Sequence, residues 1–404
     1  MSLRRFAAGI LSVVLLATVA ARGQAPQPIS LAEADQRGAT IFQQSAATGM
    51  VLVVVRNHEV MIRGYGETAP GSGVRPDASS LIRLCSISKI FTGELLLELA
   101  NEGKVKLDDP LQRYAPPHHI VPKGADGSVI TLEELATHTA GLPREVSSYP
   151  RKTPHFTFPD QPLRWKWLPQ QKLLYAPGTA AVYSNIGFDL LGDALAAATR
   201  RSYAQLVDER ILRPLNMWDT TLVPSQEQCA RLLQGVNDEG PCTDTQPSGA
   251  SGGLYSTATD MTRLLQSLLR IPAPAVPASP EIAVYLKPEQ LKSIQGLSHA
   301  GDPTGIGLAW IQLGDPDSPS MVMQKTGGGA GFETYIALSP KQQTGVFLAI
   351  TDGAGHSQID FYHEANDLLA ALANVPPLPP KTQPARVAKK RRSRPHPRAQ
   401  KTAP

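Results

Sequence analysis

Three short stretches of this chain carry side chains that could do chemistry together. "CSISK" places Ser86 three residues before Lys89, "VYSN" places Tyr183 two before Asn185, and "QKTGG" sets Lys325, Thr326 and Gly327 in a row. Serine is a poor nucleophile until a base takes its proton. A lysine is such a base only when neutral, so its pKa must fall from about 10.4 towards about 7, a displacement worth about 4 kcal/mol. The tyrosine phenol can relay protons and the asparagine amide can hold a substrate amide. Lys325 and Thr326 can bind a carboxylate, while the glycines let a ligand lie against strand backbone. Because Lys325 precedes its glycines, the stretch is not a phosphate loop.

Residues i and i+3 of a helix lie about 5–6 Å apart at Cβ, so Lys89 can reach the Ser86 hydroxyl. With "CSISKIFTGELLLELANEG" read as a helix, Glu94, Glu98, Asn101 and Glu102 fall in one polar arc. Lys89 falls opposite, in a stripe with Ser86, Ile90, Gly93, Leu96, Leu97 and Ala100. Burial there disfavours the ammonium, as does the positive end of the helix dipole. A helix N-terminus also aims free N–H groups at a developing oxyanion. The plainer reading is a lysine whose stem packs inside while its charge reaches the helix edge. Plainer readings exist for the other stretches too: Ser184 or Asn185 as a helix cap, and "KTGGG" as a turn.

A decoy competes for the nucleophile. "GASGG" at Gly249–Gly253 fits G-x-S-x-G around Ser251, with His299, His356 and His363 downstream. No clear strand precedes it, which disfavours the elbow geometry. His138 in "THTAGL" reads as structural and His118–His119 as a loop pair. There is no CxxC and no HExxH, so neither a metal nor a cofactor is expected.

The elements that must hold these groups follow from periodicity. "GMVLVVVRNHEVMIRGYGET" reads as two strands around Arg56-Asn57-His58. "TLEELATHTAGLP", "NIGFDLLGDALAAATR" and "YAQLVDERILRPL" read as helices. After a Pro-rich stretch near residue 275, strand patterns return in "GIGLAWIQL", "SMVMQKTGG", "FETYIALSP" and "QTGVFLAITD", before the amphipathic "DFYHEANDLLAALAN". The expected fold is α/β (α+β). An antiparallel sheet lobe is built from both chain ends (about 26–107 and 292–374), with a mainly helical lobe inserted between (about 108–291).

The two ends differ from this core. Residues 1–25 have Arg4 and Arg5, an apolar run from Phe6 to Ala21, then small residues, the layout of a secretory signal peptide. The paired arginines also fit a twin-arginine route. Residues 375–404 hold nine Lys or Arg, eight Pro and no acid, and should be disordered. Without both ends, 27 basic residues face 35 acidic ones, so the formal +4 conceals an acidic core. The tail is either a soluble extension or a tether to anionic envelope polymers or lipid headgroups. A nucleic-acid role is not expected in an exported chain. Cys229 and Cys242, 13 apart, can close a disulfide in an oxidising compartment, leaving Cys85 over.

Taken in order, Ser-x-x-Lys, Tyr-x-Asn and Lys-Thr-Gly resemble the active-site set of penicillin-recognising serine acyl-transferases. The tyrosine is similar to that of class C β-lactamases and their penicillin-binding relatives. "LATHTAGLPRE", "RPLNMWDTTLVPS", "SGGLYSTATDMTRLL" and "KTGGGAGFETYIALSP" share the resemblance, which spans about Ala47 to Ala373. "ATGMVLVVV", "YGETAPGSGVRP", "YAPP" and the cysteine pair look most like the AmpH-type periplasmic D-alanyl-D-alanine carboxypeptidases/endopeptidases.

The resemblance implies a Ser86 acyl-enzyme, with Lys89 and Tyr183 sharing the proton work and Asn185 orienting the substrate. Lys325, Thr326 and Gly327 would hold the carboxylate side, and the Ser86 and Gly328 N–H groups would form the oxyanion hole. Lys325 would also be a second cation keeping Lys89 neutral. The implied partners are peptidoglycan stem peptides, with β-lactams as covalent inhibitors or substrates. The implied location is the periplasm of a Gram-negative cell; the basic tail is no part of the resemblance, and peripheral membrane association is the expectation only where it acts as a tether. A class C-type β-lactamase and an esterase on the same scaffold are the alternatives.

Overall fold

The structure, a computed structural model, describes residues 27–147, 150, 152–237, 240–271 and 284–379. The expected signal peptide and the basic run from Lys381 lie outside the described residues.

The first hairpin forms as expected, with β1 (Gly49–Arg56) and β2 (Glu59–Gly66) joined at Asn57 and His58. Asn57 takes φ 51°, a left-handed conformation that Asn tolerates better than most residues. The other strands of the sheet come from the far end of the chain. They are β3 (Val284–Leu286), β4 (Pro303–Gly307), β5 (Ile311–Leu313), β6 (Val322–Gly329), β7 (Phe332–Ser339) and β8 (Thr344–Thr351). The order is β2-β1-β8-β7-β6-β5-β4-β3 with every neighbouring pair antiparallel, so the two chain ends meet at β1 and β8.

β1 is an unbroken apolar run because both its faces are covered. Met50, Leu52 and Val54 pack in a core with α1 (Leu31–Ser45) and α5 (Phe361–Ala373). Val51, Val53 and Val55 face the second core, which contains α4 (Ala258–Leu268) and α2 (Ser88–Asn101). Between them in sequence lies α3 (Asn185–Thr199), packed against α2.

Several elements depart from expectation. α4 and β3 fall inside the expected helical span 108–291 yet belong with the sheet. α4 lies against β1, and β3 forms the sheet's edge. "GIGLAWIQL" is two strands and not one, because Ala309 turns left-handed (φ 67°) and the Gly307 N–H donates to the Trp310 carbonyl at 2.8 Å. The helix expected from Cys85 opens as a 3-10 turn, Cys85–Ile87, before α2 begins. Its polar arc does not all reach water. Glu94 is buried, while Glu98 and Glu102 meet Arg210 at 3.1 and 2.5 Å. "YAQLVDERILRPL" is α-helical only over Tyr203–Val207, then widens to a π-helical turn. Cys229 and Cys242 are bonded to each other. Among the described residues, no helix is long and apolar enough to cross a membrane.

Candidate active site

The first turns of α2 and α3 and the end of β6 converge on the Ser86 hydroxyl. Ser184 caps α3, accepting from the Gly187 N–H at 3.0 Å and donating to the Pro143 carbonyl at 2.7 Å. Tyr183 and Asn185, on either side of the cap, are thereby both brought to the mouth of α2. Tyr183 Oη donates to Ser86 Oγ at 2.5 Å, and Lys89 Nζ stands 3.4 Å from the same oxygen.

Lys89 is fully buried and donates to Asn185 Oδ1 at 2.6 Å and to the Ser251 carbonyl at 2.5 Å. It does not reach the helix edge. Asn185 in turn donates through Nδ2 to Glu145 Oε1, so both ends of its amide are engaged within the protein.

Lys325 comes from β6. It is 2% exposed, with Nζ 5.1 Å from the centre of the Tyr183 ring. Lys89 Nζ and the Arg144 guanidinium each lie 4.9 Å from that ring centre. Thr326, next along the strand, is half-buried. Gly327 is required by close approach, since a Cβ there would sit 2.7 Å from the Leu84 carbonyl. Its absence lets β6 press onto the segment leading into Ser86, and Thr334 Oγ1 of β7 fastens the same carbonyl at 2.9 Å. β5 pairs with β6 only as far as Gln324, so no described strand covers that edge from Lys325 to Gly329. Gly328 is exposed there. Cys85, immediately before the serine, has φ 52° and its thiol donates to the Gly329 carbonyl at 3.3 Å.

Burial pulls Lys89 down to about 7 against the opposing carboxylates of Asp189 and Glu145, with the Arg144 cation adding to the fall. Burial likewise brings Lys325 down to about 8, with Tyr183 opposing and Lys89 and Arg144 contributing. Arg144, in the quoted "LPRE" but given no role there, therefore acts as the further cation on Lys89. Lys89 is neutral above about pH 7 and Lys325 keeps its charge below about pH 8. For a carboxylate-bearing substrate, kcat/KM is thus expected to rise through pH 7 and fall above pH 8. A profile flat from about pH 5 to 9 would contradict this assignment.

His138 is structural, as read. Its ring packs 4.5 Å from Tyr183 and 4.9 Å from Phe188, and Nδ1 accepts from the Ser184 N–H at 3.0 Å. Burial first, then Lys325, Lys89 and Arg144, hold it well below the usual histidine range, so it stays neutral. Ser251 is no nucleophile. Its buried hydroxyl donates to the Ser248 carbonyl at 3.3 Å and lies against the Asp189 carboxylate, and its own carbonyl serves Lys89. Sequence reasoning did not assign Arg144, Glu145, Asp189 or this carbonyl to the site. A separate groove of about 450 Å³, lined among others by Ser45, Glu333, Asp352, Asp360 and Tyr362, contains none of the residues around Ser86.

The sequence profile of the β-lactamase family matches residues 34–372, nearly all of the core. The chain belongs to the β-lactamase family. It is 40% identical over 376 residues to the D-alanyl-D-alanine-carboxypeptidase/endopeptidase AmpH of Escherichia coli K12, covering 91% of this chain and 97% of that one. The fold superposes on a β-lactamase/D-alanine carboxypeptidase from Yersinia pestis with TM-score 0.79 at 40% identity, covering 85% and 99% of the two chains. A β-lactamase/D-alanine carboxypeptidase from Pseudomonas syringae gives TM-score 0.66 at 20% identity over 84% and 97%, a likeness of fold.

Proposed function

We propose that this serine hydrolase is a penicillin-binding DD-peptidase that acts on D-alanyl-D-alanine ends of peptidoglycan stem peptides through a Ser86 acyl-enzyme. One observation carries the reading: the Ser86 hydroxyl lies 2.5 Å from Tyr183 Oη and 3.4 Å from a buried Lys89, beside an equally buried Lys325. Ser86 Oγ attacks the peptide carbonyl while its proton passes to the Tyr183–Lys89 pair. The oxyanion is received by the N–H groups of Ser86 and Gly328. The same pair returns the proton to the leaving amine, and water then hydrolyses the ester. Lys325 and Thr326 receive the terminal carboxylate, while Asn185 acts mainly by holding Lys89. A carboxylate-seeking Lys325 disfavours a simple ester as the natural acyl donor.

The observed disulfide supports an oxidising compartment and, with the N-terminal signal pattern, export to the periplasm. The basic tail would hold the enzyme near anionic envelope polymers or lipid headgroups. Class C β-lactamase action shares the acylation step and differs in how fast water clears the ester.

The test is the intact mass of the protein followed over time after adding benzylpenicillin, with peptide mapping of any adduct. A lasting adduct on the peptide containing Ser86, together with release of D-alanine from a D-Ala-D-Ala peptide, is expected. Rapid consumption of the penicillin without an adduct would instead make it a β-lactamase. An intact penicillin and no adduct would sink the reading.

A further inference from the structure

Asp189 is a carboxylate with no evident reason to be where it is. It lies on α3 one turn beyond Asn185, is 3% exposed, and its Oδ1 meets no hydrogen-bond donor. An ionised carboxylate in such a place costs several kcal/mol, and an apolar side chain would suit the core better. The nearby Arg164 is its largest opposite charge but gives it no hydrogen bond. Arg164 Nε and Nη2 are held by Asp193 at 2.7 and 2.9 Å, and its Nη1 donates to the carbonyls of Pro159 and Pro247 at 2.7 Å each. Lys89 has a different environment. Its nitrogen is held by neutral acceptors, the Asn185 amide and the Ser251 carbonyl. Ser251 stands between the two groups: its carbonyl accepts from Lys89, and its hydroxyl, which donates to the Ser248 carbonyl at 3.3 Å, lies against the Asp189 carboxylate.

We propose that Asp189 is a positioning residue for acyl transfer: a buried counter-charge, linked through Ser251, that stabilises the ammonium Lys89 becomes when it takes the Ser86 proton. This rests on the acyl-enzyme reading above. The proton balance is simple. Ser86 loses one proton, Lys89 gains it, and Asp189 is unchanged, so the positive charge forms beside a negative one already present.

The groups that face the pair are these. Asp189 feels Arg164 from the Gln161–Trp167 helix, Ser251, Lys89 from α2, and Asp193 on its own helix. Tyr203, from the Tyr203–Val207 helix, feels Asp189 in turn. Lys89 also feels Glu145 and Arg144 from the loop before the Gln161–Trp167 helix and Cys85 at the start of its own turn, faces the Tyr183 ring at 4.9 Å, and is felt by His138 and by Lys325 from β6. Burial pushes Asp189 up to about 7, with Arg164, Ser251 and Lys89 pulling it back, so it is partly ionised in the range where Lys89 gives up its proton.

Asp189→Asn keeps the size and a partner for Ser251 but removes the charge. Two readouts are needed on the full chain. The first is the titration of Lys89 followed by NMR of ¹³Cε-labelled lysine, assigned by its loss in a Lys89→Met variant; it requires no turnover. Losing the carboxylate should lower the Lys89 midpoint by about one pH unit. The second is the pH dependence of benzylpenicillin acylation. Its acid limb should move down with the NMR midpoint, and its plateau should fall about tenfold.

An unmoved Lys89 midpoint overturns the proposal whether or not penicillin reacts. A moved midpoint in a protein that penicillin never acylates would keep the charge coupling but remove its role in acyl transfer. A purely structural Asp189 would change Tm alone. Should the asparagine variant not fold, Ser251→Ala raises the Asp189 pKa by removing the hydroxyl that lies against the carboxylate. That variant should shift the Lys89 midpoint in the same direction by less, and no shift would again overturn the proposal.

Discussion

Ser86→Ala is expected to abolish the penicillin adduct and to cut D-alanine release by about 10⁵-fold, with the fold intact. Ser86 is half-buried, and removing its hydroxyl takes one acceptor from Tyr183 and one from Lys89. Lys89 still has Asn185 and the Ser251 carbonyl, while the Tyr183 hydroxyl loses its Ser86 acceptor, so stability should fall by about 1–3 kcal/mol. No neighbouring hydroxyl can take over. Ser88 Oγ is occupied by the Leu254 N–H at 3.1 Å, and Ser251 is buried with its hydroxyl bonded elsewhere. Lys325 and Thr326 on β6 are untouched, so with the proposed carboxylate role a D-Ala-D-Ala peptide should still bind, measurable by calorimetry. Adduct formation that survives the substitution would move the nucleophile elsewhere and dissolve the reading built on Ser86.

What could be read in the sequence is what the chain carries locally. Ser86 and Lys89 share one helical turn, so spacing alone placed them together. The apolar run "GMVLVVVR" before a polar turn at Asn57 was enough for the first hairpin. The missing parts of the site come from contacts far apart in sequence. Lys89 meets Asn185 across 96 residues and the Ser251 carbonyl across 162, and no pattern marks a backbone carbonyl as a ligand for a lysine. "GASGG" misleads for the same reason. Its glycines serve packing, since a Cβ on Gly253 would strike the Thr245 carbonyl at 2.6 Å, and they are not the elbow of a nucleophile. Asp189 sits in "NIGFDLLGDALAAATR" one turn before Asp193, where two acids in an apolar helix read as its solvent-facing side. The packing of α3 against α2 and the Gln161–Trp167 and Tyr203–Val207 helices turns it inward. The fold departs from expectation where tertiary cover decides an element's allegiance, as with α4 against β1 and with Glu94, which helical periodicity sends to water and the structure buries.

Lys89→Met separates catalysis from stability in one substitution. Methionine fills nearly the same volume among α2, Tyr183 and Phe188 but cannot accept a proton. Benzylpenicillin acylation should fall about 10³–10⁴-fold, within the span a positioned general base contributes, while Tyr183 and the oxyanion donors sustain the remainder. Stability should move the other way. In the unfolded chain the lysine titrates at 10.5, and in the fold burial has brought it to about 7. Between those values the unfolded state binds more protons than the folded one. The penalty is therefore complete below about pH 7 and disappears as pH rises towards 10.5. That displacement corresponds to about 4 kcal/mol at neutral pH, of which the variant should recover a part, since Asn185 and Ser251 lose their donor. Thermal unfolding at pH 7 should show a higher Tm for the variant, with the gap over wild type shrinking by pH 10. A lower Tm at pH 7, or a gap independent of pH, would mean that Lys89 is charged in the resting fold. Its role as base would then fail with it.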